Sequence, residues 1–138
     1  MILRPKYIAD LKPFIDKPQI KIITGIRRSG KSVVLRLLKE ELLQRKVNEE
    51  QIITLNFESF AYSELTKAQK LYEFVKQKIN NPQKYYLLLD EIQEVEQWEK
   101  AVNSFLVDFD VDIYLTGSNS HLLSSELATY LAGRYVEI

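Results

Sequence analysis

The chain has 138 residues, 46% hydrophobic and 28% charged, with 19 basic side chains balanced by 19 acidic ones. That is the size and composition of one globular domain with a single sizeable core, and the balance leaves no whole-chain electrostatic footprint for nucleic acid or an anionic membrane. Cysteine is absent, which excludes disulfides and thiolate metal sites. The opening Met-Ile-Leu-Arg-Pro-Lys lacks the apolar stretch of a secretory signal, and no apolar run approaches the ~18 residues of a membrane span. A cytoplasmic protein without a membrane partner is expected, and composition leaves a role for nucleic acid open.

From the N-terminus, Pro5, Pro13 and Pro18 bound a short helical piece around Tyr7 to Leu11. Ile20-Lys21-Ile22-Ile23-Thr24 reads as the first strand, and an amphipathic helical pattern begins at Lys31, with Val34, Leu35, Leu38 and Leu42 on one face. Between them, Gly25-Ile26-Arg27-Arg28-Ser29-Gly30-Lys31-Ser32 spells G-x-x-x-x-G-K-[ST]. In such a loop the glycines let the backbone wrap a polyphosphate, so that successive N–H groups and the helix N-terminus face it. Lys31 adds a point charge on the β- and γ-phosphates, and Ser32 supplies an oxygen for Mg²⁺. The nucleotide-binding set is therefore Gly25, Ile26, Arg27, Arg28, Ser29, Gly30, Lys31, Ser32 and Val33. Arg27 and Arg28 also read as ordinary solvated loop positions.

Ile52 to Phe57 is a second strand, and Ala68, Leu71, Val75 and Ile79 mark a second helix that stops near Asn80-Asn81-Pro82. Tyr85 to Leu89 is continuously apolar, as expected of a strand covered on both faces. Asp90 and Glu91 follow it. Asp90 is placed to orient Mg²⁺ beside Ser32, and Glu91 to accept a proton from the water that attacks the γ-phosphate. The competing reading is an acidic helix start, since Glu94, Glu96 and Glu99 follow.

Trp98, Val102 and Phe105 stripe a third helix, Val111 to Thr116 is a fourth strand, and Leu122 to Leu131 forms a fourth helix before a fifth strand opens at Tyr135. Alternating strands and helices predict an α/β fold with a mostly parallel sheet covered on both faces. Phe57, Phe60, Tyr62, Tyr72 and Phe74 fit core packing better than base stacking, and the lone His121 lacks partners at ligand spacing. Ile138 falls at the fifth strand with no cap or following helix, from which a longer protein is expected.

Taken together, the phosphate loop, the Walker B-like Leu87-Leu88-Leu89-Asp90-Glu91, the polar string Thr116-Gly117-Ser118-Asn119 and Gly133-Arg134 resemble an AAA+ ATPase core. With Ile92-Gln93 and Trp98 the string is similar to a prokaryotic AAA+ family that carries an ATPase domain followed by a separate C-terminal domain. The resemblance implies a P-loop NTPase fold with strand order 5-1-4-3-2 across residues 1–138, ATP with Mg²⁺, and Glu91 as catalytic base. It also implies a γ-phosphate sensor at Ser118 or Asn119, and Arg134 as an arginine finger offered to a neighbouring subunit of a homo-oligomer. The helical lid of that family is missing from these residues, so a weak or inactive ATPase is expected of this fragment alone. A phosphate-loop kinase and a slow nucleotide switch are the alternatives.

Overall fold

The computed structural model describes residues 8–24, 28–117 and 134–138, with the side chains of Arg28, Ser29 and Lys31 outside the description. Five strands, β1 (Ile20–Ile23), β2 (Ile52–Asn56), β3 (Tyr85–Asp90), β4 (Val111–Thr116) and β5 (Tyr135–Glu137), form one sheet. Helices α1 (Arg28–Gln44), α2 (Ala68–Lys78) and α3 (Trp98–Asp108) provide crossovers. Every ladder is parallel and the order is β2-β3-β4-β1-β5, the expected 5-1-4-3-2 read from the other edge.

The sheet separates two apolar layers because successive side chains of a strand point to opposite faces. On one face Ile20, Ile22, Leu87, Leu89, Ile113 and Leu115 meet Leu71 and Val75 of α2 and Trp98, Val102 and Phe105 of α3. On the other, Ile23, Leu88 and Tyr114 meet Val34, Leu35, Leu38 and Leu42 of α1, together with Leu11 and Ile15 of the leading segment. All six residues of β3 are buried, which is why that run shows no apolar/polar alternation. Arranged this way, the C-terminal ends of β1, β3 and β4 share one sheet edge, where open parallel sheets bind their ligands.

Two expectations need correction. The first helix is already formed at Arg28, three residues ahead of Lys31, where the amphipathic pattern begins in the sequence, because its first turn belongs to the loop motif. Phe60 is not core: it lies in a 3-10 turn after β2 and is 91% exposed. Phe57 is buried, and Tyr72 stacks against both Phe105 and Phe109, with ring centroids 6.0 and 5.7 Å away. The fourth helix expected over Leu122 to Leu131, and His121, lie outside the described residues. Among those described, no helix is long and apolar enough to cross a membrane.

At the opposite edge, where β1, β3 and β4 begin, a polar network is sealed under the leading segment. Lys21 and Asp112 form an ion pair with both side chains fully buried. Lys21 also donates to the Lys17 carbonyl at 2.5 Å, while Asp112 accepts from the Asp16 backbone N–H at 2.9 Å and from the Tyr114 hydroxyl at 2.6 Å. Tyr86 donates its hydroxyl to Asp16, and Lys84 pairs with the same carboxylate. Burial pushes Lys21 below its usual range against the opposing pull of Asp112, and burial pushes the Tyr114 hydroxyl up, with Asp112 adding to it.

Removing one partner of a buried pair leaves a charge uncompensated and costs about 3–5 kcal/mol. Asp112→Ala is therefore expected to lower stability by that amount in urea denaturation. Lys21→Met in the same chain is expected to recover a large part of it, as a double-mutant cycle will read.

Candidate nucleotide site

The candidate site is assembled by one threonine. Thr116, the last residue of β4, donates its hydroxyl to Asp90 Oδ1 at 2.5 Å and accepts the Glu91 backbone N–H at 2.9 Å. The other Asp90 oxygen, Oδ2, accepts from Ser32 Oγ at 2.9 Å. The first turns of α1, the end of β3 and the end of β4 are thereby joined through a single carboxylate. Asp90 and Glu91 are each 5% exposed, so these contacts act in an environment of low polarisability, where each is stronger than in water.

Glu91 leaves the strand in left-handed backbone, φ 59° and ψ 53°, a conformation that costs a non-glycine residue about 1 kcal/mol or more. The turn redirects the chain into the 3-10 segment Ile92–Glu94 and sends Asp90 and Glu91 in different directions from adjacent positions. Gln93 in that segment donates its side-chain amide to Glu91 Oε1 at 2.7 Å.

The oxygens of Ser32 and Asp90 suit a hard cation. Among the described residues no group of three or more His, Cys, Asp or Glu side chains could hold a metal by itself. Mg²⁺ is typically held by one or two carboxylates together with substrate phosphates and retained waters.

Two further contacts lie at the two ends of β1. Thr24, which immediately precedes Gly25, donates its hydroxyl to Glu137 of β5 at 2.6 Å. Arg134 donates to Asn103 Oδ1 on α3 at 2.9 Å, and its carbonyl accepts the Ile20 N–H at 2.8 Å. Arg134 thus lies level with the start of β1, whereas the phosphate loop follows the end of that strand. Four residues at ~3.3 Å each put roughly 13 Å between the two levels.

Of the residues singled out in the sequence, Ser32 and Asp90 come together, Glu91 follows Asp90 with its backbone N–H on Thr116, and Gly30 and Val33 lie in the first turns of α1. Arg134 is apart from them. Gly25, Ile26, Arg27, Ser118 and Asn119 lie outside the described residues, as do the side chains of Arg28, Ser29 and Lys31. Sequence reasoning did not single out Thr116 or Gln93, although both sit within the motifs that drew attention. A surface groove of about 460 Å³ along the outer edge of β2, lined by Ile53, Leu55, Tyr62, Phe74 and Tyr85 among others, touches none of the site residues.

Comparison with known proteins bears on the family and the fold. The chain is 50% identical over its whole length to an uncharacterized protein of Haemophilus influenzae, and 35% identical over 84% of its length to one of Methanocaldococcus jannaschii. It spans 35% and 25% of the length of those two relatives. Its fold resembles the DNA polymerase III gamma subunit-related protein of Thermotoga maritima, with a TM-score of 0.67 at 18% identity over 96% of this chain and 45% of that one. A chain in the structure of Drosophila ORC bound to AT-rich DNA and Cdc6 gives 0.64 at 7% identity over 99% and 55%. At such identities the likeness is one of fold. Residues 17–138 match the family described as the AAA domain, and with the P-loop arrangement of strands and the joined strand ends on one edge, the chain belongs to the AAA domain family.

Proposed function

We propose that this domain binds ATP with Mg²⁺ and hydrolyses it, and that turnover drives a conformational change in a partner or in further sequence of the kind its longer relatives carry. The observation that supports this best is the Ser32–Asp90–Thr116 linkage, which joins the phosphate-loop helix to the ends of β3 and β4 through the carboxylate that precedes Glu91 in the sequence. Gly25 to Ser32 cradle the phosphates, with Lys31 adding charge at the terminal phosphate. Ser32 and Asp90 hold Mg²⁺, which when bound neutralises charge developing on the phosphate oxygens. Glu91 takes a proton from the attacking water, and Ser118 or Asn119 senses the γ-phosphate.

A glutamate beside the metal carboxylate favours water as acceptor over the small-molecule hydroxyl a kinase would use. The slow-switch reading draws on the Arg134–Asn103 contact, which engages that guanidinium within its own chain. A rate per subunit that stays low at every protein concentration would favour the switch.

The direct test is binding of a fluorescent ATP analogue to the parent and to Lys31→Ala, with phosphate release measured alongside. Deleting a charge-assisted contact of about 1.5–3 kcal/mol weakens binding by roughly 10- to 150-fold. Equal affinity in the two proteins would remove the loop as the nucleotide site.

A further inference from the structure

Gln93 stands two residues beyond Glu91, in the 3-10 turn Ile92–Glu94. Its Nε2 donates to Glu91 Oε1 at 2.7 Å. Its own Oε1 is buried without a hydrogen-bond partner, the one such side-chain atom among the described residues. A buried acceptor left unsatisfied costs about 1–3 kcal/mol. Exchanging the two ends of the amide gives no relief, because it would set the amide oxygen against an ionised carboxylate, which only accepts. The orientation of Gln93 is therefore dictated by Glu91 and not by the fit of its own oxygen.

The backbone of Glu91 is held in the left-handed region at a further cost. Two unfavourable local contributions converge on one carboxylate, as they do where geometry is held for chemistry. The Gln93 amide engages Oε1 and not Oε2, so the two oxygens of this carboxylate are not equivalent.

We propose that Gln93 is the positioning residue for the base Glu91, an inference that rests on the hydrolytic reading above. Its amide fixes Oε1 so that Oε2 is the oxygen that takes the proton. In the step served, the water oxygen bonds to the γ-phosphorus, the bond from that phosphorus to the β–γ bridging oxygen breaks, and ADP leaves with the bond's electron pair. The water's proton goes to Glu91 Oε2 and from there to the phosphate product. An amide suits this task because it donates to the carboxylate without an ionisable proton of its own to compete for the base.

The test compares the parent, Glu91→Gln, Gln93→Met and Gln93→Glu in the full native polypeptide by kcat, KM, nucleotide affinity and thermal melting. Gln93→Met removes the donor and the orphaned oxygen together. It is expected to lower kcat about 10- to 100-fold, the loss of one hydrogen bond to a charged group, with KM and affinity within about twofold and melting unchanged or higher. Gln93→Glu is expected to be slow near pH ~8 and to recover toward pH ~6, where a proton shared between the two carboxyls restores the donor; Gln93→Met is expected to show no such recovery.

An active parent with Gln93→Met equally fast overturns the proposal. So does an equal fall in kcat and affinity, or a Gln93→Glu rate that does not recover on acidification, either of which leaves Gln93 a structural residue. Should Gln93→Met fail to fold, the pH profile of Gln93→Glu decides alone. A parent that shows no Mg²⁺-dependent hydrolysis overturns the hydrolytic reading and this inference with it, whereas a hydrolysing parent and an inactive Glu91→Gln confine any failure to Gln93.

Discussion

Glu91→Gln is expected to leave ATP and Mg²⁺ bound while hydrolysis slows by about 10²–10⁴-fold, the contribution of a positioned general base. The substitution is nearly isosteric, and the Glu91 backbone N–H still reaches Thr116. Ser32, Asp90 and Thr116 keep their contacts, since none of them uses the Glu91 side chain. Single-turnover kinetics with the nucleotide dissociation constant measured separately gives the answer. Equal losses of binding and turnover would make Glu91 an organiser of the metal or the strand end instead of the base.

Arg134 carries the other large effect. It is level with the start of β1 and engages Asn103 on α3, away from the end of β1 where its own phosphate loop begins. As the arginine finger that the sequence resemblance implies, it would be worth ~10³–10⁵ in turnover to a neighbour's nucleotide. Arg134→Ala is expected to cost activity in that range wherever the subunits assemble. Mixing Arg134→Ala with Lys31→Ala is expected to recover part of it, because a subunit with an intact loop borrows the finger of one whose loop is dead. Co-assembled mixtures that stay inactive would make Arg134 a structural or cis-acting residue.

The strands and helices were legible because each announces itself locally. Val111–Thr116 and the stripe at Trp98, Val102 and Phe105 are read from spacing within a dozen residues, and the structure places them there. Ser32 and Asp90, 58 residues apart, were joined in advance only through the motifs that carry them. Where no motif spans the gap, the sequence was silent. Lys21 read as one polar residue in an apolar strand, and nothing local links it to Asp112, 91 residues away. Thr116 looked like one member of a polar string, but its part as the joint between Asp90 and Glu91 needs the third dimension. Phe60 misled because an aromatic next to apolar positions resembles core until the turn that carries it is seen to point outward.

The Lys21–Asp112 pair bears on alignment across the sheet. Side chains alternate between faces along a strand, so sliding β1 by one residue against β4 would drive the Lys21 ammonium into the layer under α2 and α3 and strand Asp112 with no countercharge. The pair works as a dowel. The register that it pins sets Lys21 opposite Tyr114 and, two steps along, Ile23 opposite Thr116. Thr24 therefore emerges at a fixed height beside Thr116 and Asp90, and a buried charge at one rim of the sheet holds the tolerances of the other.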